Sequence, residues 1–260
     1  MSCCYLRYNV FSGNIPYKLP AGRAERCCQL RSRLDSLQRL LSFCAGATVK
    51  RTYVYVDGFN LYYRALKQNP EYKWLNLEAL AQRLLDADNR IDRIRYFTAP
   101  VSGKLDPNQP VRQQQYLQAL STLDCLVVHQ GNFLTKRRVR PLVNPPTGGP
   151  THVEIWNSEE KGSDVNLATY LVHDAWRDLF DVALVLSQDT DLNEPVRIVR
   201  DEIRKSVGVV VLDGKTPGKL CAHGSFVRHV THGDLAAAQF PDEVTFGRRR
   251  KTVVRPSSWR

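Results

Sequence analysis

The sequence predicts an α/β fold with a mostly parallel central sheet and helices on both faces. Three observations predict it. From Thr52 onward, short β-rich runs alternate with helix-patterned segments, the rhythm of a parallel sheet with helical crossovers. Two of the runs, Thr52–Val56 and Val182–Leu186, read as buried strands. Acidic residues stand at the ends of those two runs, Asp57 and Asp189, where such sheets place their ligands.

In chain order, Tyr53–Val56 is β-rich and ends at Asp57-Gly58, a pair suited to a sharp turn. A helix is predicted over about Leu61–Lys67. Asn76 caps a second helix, Leu77–Ala87, with Leu77, Leu80, Ala81, Leu84 and Leu85 on one face. Ile94–Thr98 reads as a strand stopped by Ala99-Pro100. Asn108–Pro110 opens a helix over Val111–Leu123, and Cys125–His129 is the next strand. The stretch from Gly131 to Ser158 breaks this rhythm with a basic cluster followed by four prolines and two glycines, and reads as a two-stranded excursion or mobile loop. A helix over Ser163–Trp176, a strand over Val182–Leu186, a helix over Leu192–Ser206 and a strand over Val207–Leu212 follow. Gly214–Gly218 is a loop, and Ala222–His229 a short terminal element. The organisation expected is a basic extension over 1–50, one domain over 51–240 and a basic C-terminal tail over 241–260. Within the extension, Glu25–Phe43 carries leucines at helical spacing.

The formal charge of +11 is unevenly spread. Residues 1–51 carry nine Lys/Arg against two acids, and 248–260 carry six against none. Residues 52–247 hold 22 basic and 24 acidic side chains, close to neutral. A high overall charge therefore gives no basic binding face on the folded body. Five of seven cysteines precede residue 50, and adjacent Cys-Cys pairs lack the gap that lets both thiolates reach one zinc. An odd cysteine count and no secretory signal place the chain in a reducing, cytoplasmic setting. No apolar run approaches the roughly 18 residues of a membrane span.

The chemistry rests on three stretches: Val56-Asp57-Gly58-Phe59-Asn60, Lys161-Gly162-Ser163-Asp164-Val165 and Ser187-Gln188-Asp189-Thr190-Asp191-Leu192. Two follow strands and one opens a helix. Carboxylates gathered in one cleft repel one another unless a cation lies between them. Oxygen ligands suit Mg²⁺ or Mn²⁺, which can align a water and stabilise a phosphorus under attack. A single Asp at a strand end is ordinarily a cap or turn residue; three such stretches together point to a site.

These stretches resemble the three signatures of the NYN domain family, a branch of the PIN-like nuclease superfamily. Glu194–Arg200 and the ending Pro256-Ser257-Ser258-Trp259 resemble a bacterial-type subgroup. The resemblance implies a PIN-like three-layer α/β/α sandwich and metal-dependent cleavage of RNA. It implies Asp57, Asp164 and Asp189 as metal ligands, with Asp191 a fourth, and Asn60 and Ser187 as supporting polar residues. Gln188, Thr190 and Leu192 depart from the family pattern, and Tyr170 stands where many relatives carry a further Asp, which favours one ion over two.

Lys161 and the Lys136-Arg137-Arg138 cluster are the candidates for contact with an RNA backbone, single-stranded by expectation. Tyr62 and Tyr63 offer either base stacking or core packing. The six histidines show no ligand pairing. A non-catalytic RNA-binding or interaction module on the same fold is the alternative. A phosphatase of the haloacid dehalogenase type is disfavoured, because Phe59 occupies the place of its second acid. Oligomeric state stays open between a monomer and a homo-oligomer.

Overall fold

Lys50–Asp57 forms strand β1, and the chain returns to its side twice, in β2 (Asn89–Thr98) and in β6 (Val182–Leu186). The computed structural model describes residues 49–103, 106–214, 218–247 and 250–260, except the side chains of 133–135 and 158–160. The expected extension over 1–50, with its helix at Glu25–Phe43, lies outside the described residues but for 49 and 50, as does most of the Gly214–Gly218 loop.

Six strands make one sheet in the order β3-β2-β1-β6-β7-β8, with β3 at Leu126–Gln130, β7 at Ser206–Val211 and β8 at Phe226–His229. Every pairing in it is parallel, one step beyond the mostly parallel sheet expected. The order grows outward from β1 in one direction and from β6 in the other. The β1/β6 boundary is therefore the topological switch point, outside whose carboxyl edge ligands bind in open α/β sheets.

Helices cover both faces and complete a three-layer α/β/α sandwich. On one face α1 (Gly58–Leu61), α2 (Leu77–Leu84) and α3 (Gln109–Leu120) enclose a core that includes Trp74, Leu80, Ile94 and Leu120. On the other, α4 (Ser163–Trp176) and α5 (Asn193–Arg197) bury Leu167, Leu171 and Val196 against Tyr55 and Val185. The Asn76 cap forms as expected, its side chain accepting from the Glu78 and Ala79 N–H groups. The α4 and β6 boundaries match the expected ones residue for residue. Elsewhere helices end sooner or change type: Tyr62–Leu66 continues α1 as a π-helix, and the expected helix over Leu192–Ser206 divides into a 3₁₀ turn, α5 and a π-helix over Ile198–Glu202.

The excursion is an antiparallel hairpin of β4 (Asn132–Pro141) and β5 (His152–Lys161). The described residues of the expected basic tail, 241–247 and 250–260, are folded onto the body. After α6 (His232–Ala237), β9 (Glu243–Phe246) and β10 (Lys251–Val254) pair, burying Val244 and Val253 in the first core. Trp259 lies 6.2 Å from the rings of both Trp74 and Tyr116. Burial alternates along both strands as strand geometry requires, with Val244 between exposed Glu243 and Thr245 and Val253 between exposed Thr252 and Val254, and burial of aromatic surface holds the segment in place.

Candidate functional site at the switch point

Asp57 ends β1 in an extended conformation that folds its carboxylate over the start of α1. One oxygen accepts from the Phe59 and Asn60 N–H groups at 3.1 and 2.9 Å, an N-cap that satisfies two donors otherwise unpaired at a helix start. The other accepts from the Ser187 hydroxyl, across the switch point on the β6 exit, at 3.0 Å. Ser187 Oγ in turn accepts from the Asp189 N–H at 3.2 Å, and the Asp189 carboxylate from the Asp191 N–H at 3.0 Å. Asn60 Oδ1 accepts from the Gln188 N–H at 3.1 Å, and Gln188 Oε1 from the Leu212 N–H at 2.9 Å. Side chains thus tie together the carboxyl ends of β1, β6 and β7.

Gly58 is what lets the chain turn here. A Cβ on it would sit 2.7 Å from the Phe97 carbonyl oxygen and 2.8 Å from the Tyr96 hydroxyl.

Asp57 is 4% exposed. Burial pushes its carboxyl above the ordinary value, the Asn60 N–H and Ser187 hydroxyl pull it back, and the Asp189 charge pushes it up again. A buried carboxylate beside a second negative charge favours a cation at the site.

The other expected site residues lie on neighbouring elements. Asp164 lies in the first turn of α4, entered through Gly162 at φ 101°, a left-handed conformation that glycine adopts without strain. Because α4 links the hairpin back to the start of parallel strand β6, its N-terminus belongs to the same carboxyl edge as Asp57 and Asp189. Asp191 is exposed on the 3₁₀ turn Thr190–Leu192. Among the described residues, no group of three His, Cys, Asp or Glu side chains is arranged to hold a metal ion. Among the four acids, the Asp189 charge acts on the Asp57 carboxyl. Their chemistry still fits a hard cation, since Mg²⁺ is ordinarily bound through one or two carboxylates, with waters and substrate phosphates completing its shell.

Lys161 ends β5 beside this edge, exposed. The Lys136-Arg137-Arg138 cluster lies on β4, where alternation divides it. Arg137 shares a face with Trp156, its guanidinium 5.1 Å from the ring, and reaches Glu154 at 4.0 Å. Lys136, Arg138 and Arg140 take the other face, opposite Asn157, Ile155 and Val153, none of them acidic.

Two features were not legible in the sequence. Asp174, on α4, is fully buried and joined to Arg95 and to the Tyr55 hydroxyl. Tyr170, in place of a further Asp, lies 4.3 Å under the Arg95 guanidinium and 4.4 Å from the His129 ring. Arg95 Nη1 and His129 Nε2 are 3.1 Å apart. Only the spacing of Tyr170 and Asp174 by one helical turn hinted at a shared face. The second feature is an aromatic cavity beginning at Gly58 and Phe59, of which the Tyr62-Tyr63 pair was the single trace.

A parallel α/β sandwich carries acids at its switch point, and the family that its sequence matches has a nuclease-like fold. The chain belongs to the NYN domain family, whose model matches residues 51–228. It is similar to the 6-hydroxy-3-succinoylpyridine 3-monooxygenase HspA of Pseudomonas putida (strain DSM 28022 / S16). The two are 30% identical over a 241-residue alignment that takes in 80% of this chain and 75% of that protein. Among solved structures it is similar to a protein of unknown function from Vibrio parahaemolyticus RIMD 2210633, at 15% identity and a TM-score of 0.46, covering 71% of this chain and 95% of that one.

Proposed function

We propose that the chain is a divalent-cation-dependent ribonuclease that hydrolyses phosphodiester bonds of single-stranded RNA. The observation that carries this reading is Asp57: a carboxylate 4% exposed at the switch point, fixed by three donors and facing the Asp189 charge. Asp57 and Asp189 would hold the ion, with Asp164 and Asp191 from the same edge as further oxygen donors. A Mg²⁺ or Mn²⁺ ion bound there supplies Lewis-acid charge to the phosphate and lowers the pKa of a bound water. Ser187 and the two helix N–H groups keep the Asp57 carboxylate in one orientation. Asn60 holds the Gln188 backbone, and so the Asp189 loop, against α1. The Lys136, Arg138 and Arg140 face and Lys161 would bind the RNA backbone by charge.

The test is cleavage of labelled single-stranded RNA with Mg²⁺ or Mn²⁺, with and without chelator, by wild type and Asp57→Asn. Asn caps helices as well as Asp, so the variant folds while losing the charge. Cleavage is expected to fall by about 100-fold or more with either chelator or the variant, roughly 2.7 kcal/mol of barrier. Metal-independent cleavage, or an unaffected variant, overturns the reading. RNA binding without cleavage under either ion favours the non-catalytic module.

One observation favours a second reading: the Pseudomonas putida relative, a 6-hydroxy-3-succinoylpyridine 3-monooxygenase, is 30% identical. On that reading the chain oxygenates a small hydroxylated pyridine. Consumption of that compound, with oxygen and a reductant supplied and no RNA cleavage, would replace the first reading.

A further inference from the structure

A cavity of about 570 Å³ opens beside the switch point, starting at Gly58 and Phe59 and extending under the C-terminal segment. That volume is in the range of small-molecule and cofactor sites, which combine apolar walls with a few placed polar groups. Its walls include Tyr62, Tyr116, Trp156 and Trp259, drawn from four separate parts of the chain. Tyr116 is fixed by a 2.8 Å hydrogen bond from its hydroxyl to the Leu75 carbonyl and by the Trp259 ring against it. Trp156, on the hairpin, is 60% exposed and forms the outer wall. Flat faces on several sides suit a flat ring.

The polar side of the cavity is unbalanced. Lys73 and Arg112 both line it, and the carboxylate beside them there is Asp106, which pairs with Arg112. Lys73 has no ion pair among the described residues; its ammonium lies 5.5 Å from the Tyr62 ring centroid. Partial burial, and then the Arg112 charge, hold the Lys73 amine below its ordinary pKa. An anion between the two cations would relieve both effects.

We propose that this cavity binds a planar heteroaromatic ring bearing one anionic group, with the ring among Tyr62, Tyr116 and Trp156 and the anion on Lys73 and Arg112. The same chemistry is presented by a free aromatic acid and by a nucleotide of a bound RNA. Binding is read directly, so the outcome stands whichever reaction the Asp57 site performs.

The experiment is calorimetric titration of the full chain with nicotinate, with nicotinamide as the uncharged ring, and with uridine 5′-monophosphate. Nicotinate is expected to bind about tenfold tighter than nicotinamide, a ratio worth about 1.4 kcal/mol. Lys73→Met should abolish that preference and leave nicotinamide unchanged. Trp156→Ala, at an exposed position that does not threaten the fold, should weaken both rings. Tighter binding of the nucleotide than of nicotinate assigns the cavity to RNA; the reverse assigns it to a free acid. No saturation by either acid up to about 10 mM, or no preference of nicotinate over nicotinamide, overturns the proposal. So does binding of the acids that neither variant alters.

Discussion

Asp57 and Asp174 are both buried aspartates, and their partners give them different fates. Asp174 receives the Tyr55 hydroxyl at 2.8 Å and two guanidinium N–H groups of Arg95 at 2.7 and 3.0 Å. Burial, and then the Asp174 charge, push the Tyr55 hydroxyl well above its ordinary pKa, so it stays a donor. Replacing Asp174 by Ala strands a mostly buried guanidinium, and loss of one partner of such a pair costs about 3–5 kcal/mol. The urea midpoint of Asp174→Ala should fall accordingly, while Asp57→Asn, which keeps its capping acceptor, should unfold within about 1 kcal/mol of wild type. Asp57 was legible because it stands at a strand end before a glycine. Asp174 sits in the last turn of α4, where the sequence pattern offers nothing to separate a buried acid from a solvated one.

At the scale of elements, the β4/β5 hairpin shows how strand geometry sorts charge. The run of basic residues reads as one patch in the sequence, yet alternation sends Arg137 to the Trp156 face and leaves Lys136, Arg138 and Arg140 together. If that face meets RNA phosphates, changing all three to Gln should weaken binding and flatten the salt dependence. At roughly 0.7 per phosphate contact for a single strand, the slope of log K against log salt should fall by about 2. Arg137→Gln, on the opposite face beside Glu154 and Trp156, should change the slope less; filter binding across a salt series checks both. Strongly periodic elements such as Ser163–Trp176 were legible to the residue because their apolar spacing is a local signal. The π-helical continuations at Tyr62–Leu66 and Ile198–Glu202 were not. They have the same residue types as an α-helix and differ only in which carbonyl each N–H finds.

Across the whole molecule, the first residues of the domain are tied to the far side of the switch point. Arg51 binds Asp181 through its backbone N–H at 2.9 Å and through its guanidinium at 2.8 and 3.1 Å. The Arg51 guanidinium holds the Asp181 carboxyl down at about 2, from an ordinary 3.8. A depressed acid stabilises the folded state fully above its unfolded value and loses that contribution as pH falls through the folded one. The pair therefore contributes above about pH 4 and is lost towards pH 2. The gain is modest, because both side chains are more than a third exposed. Asp181→Asn should lower the melting temperature at pH 7 slightly and make its fall between pH 4 and pH 2 shallower, as read by circular dichroism.

The sequence by itself determined the order of strands and helices, the α/β class and the placing of Asp57, Asp164 and Asp189 at element ends. Hydrophobic period, caps and turn residues act over a few neighbours, and those are present in the sequence. Only the tertiary structure decided that β6 lies against β1, so that Ser187 joins Asp57 to the Asp189 loop while no third acid closes a metal cage among the described residues. It alone decided that Trp259 and Trp156 meet Tyr62 and Tyr116 around one cavity, and that the basic C-terminal segment is a packed hairpin. Such meetings depend on strand order and on side-chain packing between residues nearly two hundred positions apart, for which no local pattern carries a signal.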